Sequence, residues 1–168
     1  MKLDLRKIIH VPGASASFDF PLDLTQMDFF GARPITRPIR VQGKVTNRAG
    51  ALHLEGDAST VLDLTCDRCC KAYTAEKSVV LDSLLSTELE DEMNDDEIIL
   101  LDGDAVDLDE VATTAFILGM DTKNLCSEDC KGLCSRCGAD LNLGPCACKP
   151  EVDPRLAALA QLLDDKAE

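Results

Sequence analysis

Six of the nine cysteines in this 168-residue chain fall between positions 126 and 148, as Cys126, Cys130, Cys134, Cys137, Cys146 and Cys148. A further pair, Cys66-Asp-Arg-Cys69, lies upstream, with Cys70 directly after it. Two CxxC pairs separated in this way suit tetrahedral metal, because each tight turn can present two thiolates to one ion. A chain so built is constrained first by where its sulfurs must meet.

The rest of the composition gives such staples work to do. Trp is absent and aromatic residues make up 4% of the chain, so the core must rest on Leu, Val, Ile and Ala. At a structural metal site, binding free energy is folding free energy, on the order of 10 kcal/mol. The first residues, MKLDLRK, are charged and no stretch reaches the roughly 20 apolar residues of a membrane span. The reading is a soluble, cytoplasmic protein with no membrane partner, in a compartment where clustered cysteines serve as metal ligands more often than as disulfides.

Net charge is −14, unevenly spread. Residues 1–60 carry 8 Lys or Arg against 6 Asp or Glu, whereas residues 61–168 carry 9 against 25. From Asp82 to Glu110 there are 13 carboxylates and no Lys or Arg. Such a surface repels bare phosphate backbone and attracts basic partners.

The expected fold class is α+β: an antiparallel β-sheet or partly open barrel body, with short helices and a cysteine-rich zinc-knuckle segment toward the C-terminus. Residues 1–120 are read as the β-rich body, 121–150 as the zinc-binding segment and 151–168 as a C-terminal helix. Residues 1–35 contain Pro12, Gly13, Pro21, Gly31 and Pro34 and suit short strands and turns. Alternation from Ile39 predicts a strand, Asn47 to Gly50 a hairpin turn, and Ala51–Thr65 a second strand leading into Cys66. Tyr73 to Leu81 reads as a third strand, which sets the first CxxC at a corner between strands. Leu84, Leu85 and Leu89 suggest a helical start, followed by an acidic loop near 86–97. Asp107-Leu-Asp-Glu110 resembles a capping box opening a helix over 108–118, with Leu108, Val111, Ala115 and Leu118 as its apolar stripe. Asp153-Pro154 announces the last helix.

The eight candidate metal ligands are Cys66, Cys69, Cys126, Cys130, Cys134, Cys137, Cys146 and Cys148. The spacing of Cys126 and Cys130 suits one face of a helical turn. Gly138 after Cys137 permits the positive φ of a knuckle. The preferred grouping joins Cys66, Cys69, Cys126 and Cys130, leaving Cys134, Cys137, Cys146 and Cys148 as a local site. A competing grouping puts Cys126, Cys130, Cys134 and Cys137 together. Cys70 is spare in both and is read as a small core hydrophobe.

Zinc, one ion or two, is favoured over an iron–sulfur cluster because the ligands come as pairs without a CxxCxxC run. The strand flanks argue against thioredoxin-like redox chemistry, which wants CxxC at a helix N-terminus. No GxSxG, phosphate loop, dinucleotide fingerprint or HExxH occurs, and the two histidines, His10 and His53, form no constellation. The expectation is a protein without enzyme activity or small-molecule substrate. Arg40, Lys44 and Arg48 belong to the one basic stretch, a candidate RNA-facing strip whose plainer explanation is a solvated strand face.

The ordered set CDRC, an acidic stretch, LCxxxCKGLCxRCGxxLN, CxC and DPRLAAL closely resembles the YceD family, the large ribosomal RNA subunit accumulation proteins, over roughly residues 40–163. The resemblance implies a small metal-bearing factor tied to large-subunit ribosomal RNA. Its implied partners are a large ribosomal subunit precursor, ribosomal RNA or a basic ribosomal protein. A stand-alone zinc-ribbon RNA binder and a thiol redox protein are the other functions that the residues allow. Where the family often has Leu after its first CxRC this chain has Cys70, and Gly119-Met-Asp-Thr stands where a proline commonly precedes Cys126.

Overall fold

The structure is a computed structural model and describes residues 1–29, 31–87 and 98–148. The predicted acidic loop, nearly all of it, and the predicted C-terminal helix lie outside those residues. Among the described residues seven strands and one helix follow in the order β1 (Lys2–Asp4), β2 (Ser15–Leu22), β3 (Ile39–Arg48), β4 (Ala51–Thr65), β5 (Ala72–Ser86), β6 (Ile98–Leu100), β7 (Ala105–Asp107) and α1 (Leu108–Leu118). Strands β2-β3-β4-β5-β6 form one sheet, antiparallel except for the parallel β5–β6 pair, and β1 pairs with β7 beside it.

Burial follows the alternation in each strand. Phe18, Phe20 and Leu22 of β2, Val41 and Val45 of β3, and Leu54, Ala58 and Leu62 of β4 face a common core. Gly43 and Gly56 stand directly opposite one another on β3 and β4, and Phe18 packs over that gap. A Cβ on Gly43 would lie 2.7 Å from the Phe18 ring and 2.4 Å from the Glu55 carbonyl oxygen, so only glycine allows the two backbones this approach. Strands β4 and β5 run 15 residues each, about 50 Å of ribbon; Leu62 still belongs to the main core, and the tip beyond it carries the cysteine turn.

The β3–β4 turn is tighter than the four residues expected, since Ala49 and Gly50 alone make it, at φ 55° and 101°. Asn47, 1% exposed, lies within β3. Its amide donates to the carbonyls of Ile8 (2.8 Å) and Ile9 (2.7 Å), and its side-chain oxygen accepts from Gly50 N–H at 2.8 Å. One buried side chain thereby ties the N-terminal segment to the hairpin.

Two further expectations are corrected. Leu84 and Leu85 belong to β5, not to a helix: residues 81, 83 and 85 share one strand face, and β5 stays paired with β4 as far as Leu52↔Leu85. The helix spans 108–118 as expected, with the Asp107 carboxylate accepting from Asp109 N–H, but it buries Leu108, Ala112 and Phe116. Of the predicted stripe only Leu108 reaches the core fully, and Leu118 is 81% exposed. No helix of the described residues is long and apolar enough to cross a membrane.

Candidate metal centre

The β4–β5 ribbon turns at its far end through Cys66-Asp-Arg-Cys69-Cys70. Cys66 N–H donates to Lys71 O at 2.9 Å and Cys70 N–H to Cys66 O at 2.9 Å. The same pair of bonds recurs 68 residues later: Cys134 N–H to Ala139 O at 2.8 Å and Gly138 N–H to Cys134 O at 2.9 Å. Both turns close through a left-handed residue, Cys70 at φ 57° and Gly138 at φ 71°. Cys70 is therefore the counterpart of Gly138, and it is exposed. This overturns its reading as a core residue: it holds the left-handed closing position of the turn and is exposed.

The thiols gather in two sets, Cys66, Cys69, Cys126 and Cys130 in one and Cys134, Cys137, Cys146 and Cys148 in the other, with all four sulfurs of each set within 4.8 Å of one another. In the first set the Cys66 and Cys130 sulfurs are 3.8 Å apart and those of Cys69 and Cys126 3.6 Å. A disulfide needs about 2.05 Å. A tetrahedral ion bound at about 2.3 Å to each sulfur sets its ligands about 3.8 Å apart. The spacing fits thiolates around an ion, and each set can hold one. Cys126 and Cys130 reach it through a turn, Cys130 N–H to Ser127 O at 3.1 Å, and not through the helical turn their spacing suggested.

Without a cation such quartets are electrostatically divided. Backbone N–H donors, that of Cys126 foremost, draw the Cys66 thiol down to about 6. Those of Cys137 and Arg136 hold Cys134 at about 6 as well. The Cys69 sulfur beside Cys126 pushes that thiol up to about 12, with burial adding to the effect. Cys137 does the same to Cys148, also up to about 12. Each set thus mixes a ready thiolate with a thiol that cannot ionise against its neighbours, a conflict that a bound cation removes.

The segments that bring the sulfurs together are held by residues that the sequence reading passed over. Arg68, inside the first CxxC, donates from Nη1 to Cys130 O at 2.7 Å, and its carbonyl accepts from Leu133 N–H at 3.0 Å. Asp67 N–H donates to Asn124 O at 2.8 Å, and Asn124 N–H to the Asp67 carboxylate at 2.7 Å. Gly132, at φ 76°, lies so close to Arg68 that a Cβ there would be 2.9 Å from its carbonyl. Asn142 links the two sets: its side-chain oxygen accepts from Lys131 N–H at 2.7 Å, and its amide donates to the Cys130 sulfur at 3.5 Å. A donor to a ligand sulfur orients it and tempers its charge. The polar members of the CDRC and GADLN runs were the available signal. Tyr73 and Leu125 pack over the first set.

The basic strip lies elsewhere, on the sheet. Arg40 forks onto Asp19, with Nε 3.2 Å and Nη2 2.8 Å from its two oxygens. Arg48 and Lys44 both face Glu55, Lys44 at 4.0 Å. All three cations are thus matched by carboxylates on neighbouring strands.

Residues 54–163 match the family model described as "Large ribosomal RNA subunit accumulation protein YceD". The chain is 32% identical over 157 residues to a maize protein named as a chloroplastic YCED homolog 1, covering 74% of this chain and 53% of that protein. It is 25% identical to the uncharacterized protein YlbN of Bacillus subtilis, across 100% of this chain and 99% of that one. An uncharacterized Mycobacterium tuberculosis protein shares 26% identity over 106 residues, 61% of this chain and 51% of its own. The chain thus spans about half the length of the maize and mycobacterial relatives. No solved structure matches it. With both sulfur sets inside a match covering most of the chain, this protein belongs to the YceD family.

Proposed function

We propose that the chain acts without catalysing a reaction, as a zinc-held scaffold in large-subunit ribosomal RNA accumulation in the cytoplasm, docking a basic ribosomal protein or an RNA–protein surface of a precursor particle. The observation that carries this reading is the closure of both sulfur sets. Four protein thiols satisfy a tetrahedral ion completely and leave no position for water or substrate, the mark of a structural and not a catalytic site. The paired knuckle turns favour zinc among the metals that take four thiolates. The family description supplies the link to ribosomal RNA, and the −14 charge favours a basic protein over naked RNA as the direct contact. The alternative of a stand-alone RNA binder finds less support, because Arg40, Lys44 and Arg48 already face carboxylates.

The test is twofold. Metal analysis of native protein should find two zinc ions per chain, and the native chain should co-sediment with large-subunit precursors. One ion or none would remove the two-site scaffold. Failure to associate with ribosomal particles or with their isolated basic proteins would remove the assembly role. Alkylation of Cys134 or Cys137 in metal-replete protein would instead favour a redox protein.

A further inference from the structure

Helix α1 has a second apolar face. While Leu108, Ala112 and Phe116 enter the core, Val111, Ala115 and Leu118 turn toward β5 and β6 and line one wall of a groove of about 490 Å³. Val80 and Leu100 line the opposite wall, 75% and 51% exposed. Large apolar side chains gathered in one cleft and left uncovered by the described residues mark an interaction surface.

The rim is acidic. Asp82, Asp102, Asp107 and Glu110 border the groove, and among the described residues no Lys or Arg lines it. Lys2 answers Asp102 at 2.7 Å and the terminal ammonium of Met1 lies 3.5 Å from Asp107, but Asp82 and Glu110 make no salt bridge among the described residues, Lys2 acting on Glu110 only at longer range. Asp82 also stands opposite Glu55 across β4 and β5, but Arg48 and Lys44 turn to Glu55 and leave Asp82 outside their salt bridges.

We propose that this groove seats an amphipathic basic segment of a partner protein, with its apolar side chains between α1 and the β5–β6 edge and its Lys or Arg over Asp82 and Glu110. The inference rests on the reading that the chain docks a basic protein, and it says where. Charge complementarity selects the occupant. Nucleic acid would set phosphates against four carboxylates. The stretch 151–168 of this chain carries five carboxylates against two cations, and a second copy brings another −14. Apolar walls demand more than charge, so a merely cationic tail does not satisfy the site.

The experiment uses the full, metal-loaded chain and a labelled Leu/Lys amphipathic peptide about four helical turns long. Binding should weaken steeply with salt and shift backbone amide resonances in β5, β6 and α1 only. Val80→Ser with Leu118→Ser, and separately Asp82→Lys with Glu110→Lys, should each weaken binding about tenfold. All four side chains sit at the groove surface, so unfolding midpoints should stay near that of the parent, with a small drop only for Glu110→Lys, which reverses a charge in the first turn of α1. Mapping on the unaltered chain tests the site even if a variant misfolds. Resonance shifts elsewhere, equal binding of a Gly/Lys peptide of the same charge, an RNA oligomer taking the groove, or self-association through it would each overturn the proposal. The two readings fail separately: a parent chain that never associates with ribosomal particles sinks the assembly role, whereas an unresponsive groove in a chain that does associate sinks only this site.

Discussion

Cys70 holds a left-handed conformation that costs an L-residue roughly 1 kcal/mol and costs glycine almost nothing. Its sulfur is exposed and outside both thiol sets. Cys70→Gly should therefore raise stability by about 1 kcal/mol, seen as a higher unfolding midpoint, with metal content unchanged. A lost ion would show that this sulfur is a ligand after all. Asn47 is the opposite case, a residue whose every polar atom is spoken for. Asn47→Leu strands the carbonyls of Ile8 and Ile9 without donors, and denaturant titration should register a loss of about 3 kcal/mol. Nothing in sequence marks Asn47 as buried; it resembles any turn-forming asparagine, and only the N-terminal segment folding over it makes it a core residue.

At the scale of elements, the glycine pair at 43 and 56 sets how closely β3 and β4 approach beneath Phe18. Gly43→Val should cost about 3 kcal/mol or more, because the obstructing Glu55 atom is backbone and cannot swing aside. Circular dichroism melts would check this, and an unchanged midpoint would mean that the sheet can spread. The β3–β4 hairpin and the bounds of α1 were legible in sequence because each carries its own period and its own punctuation. What misled was spacing that serves two geometries. The four-residue step from Leu85 to Leu89 suits one helix face and equally one strand face, and the pairing of β5 with β4 as far as Leu85 decides for the strand. Cys126 and Cys130 are also four apart, and there a tight turn takes the place of the helix. On α1, two apolar stripes compete and local periodicity cannot say which one the sheet covers. The thiol groupings were legible as alternatives only; the contact between Arg68 and the chain at 130–133, which brings the first set together, has no signature in spacing.

For the whole molecule, the two sulfur sets differ in reach. The first joins Cys69 to Cys126 across 57 residues, whereas the second is confined to 134–148. Cys66→Ser should lower the main unfolding midpoint by about 10 °C or more, since it releases both the ribbon tip and the segment that crosses it. Cys134→Ser should leave the sheet's transition nearly in place and lose one ion. Equal effects on that transition would mean that the sets are coupled, through Asn142 in the first instance. The same difference in reach has a consequence in time. Loop closure over nine residues, from Cys137 to Cys146, costs little entropy and needs no sheet, while the long closure waits until β4 and β5 have paired. Refolding in the presence of cobalt should accordingly show thiolate charge-transfer absorbance rising in two phases. The early one reports a local clasp, and the late one coincides with the sheet, so that the last ion to bind serves as a clock for completion of the fold.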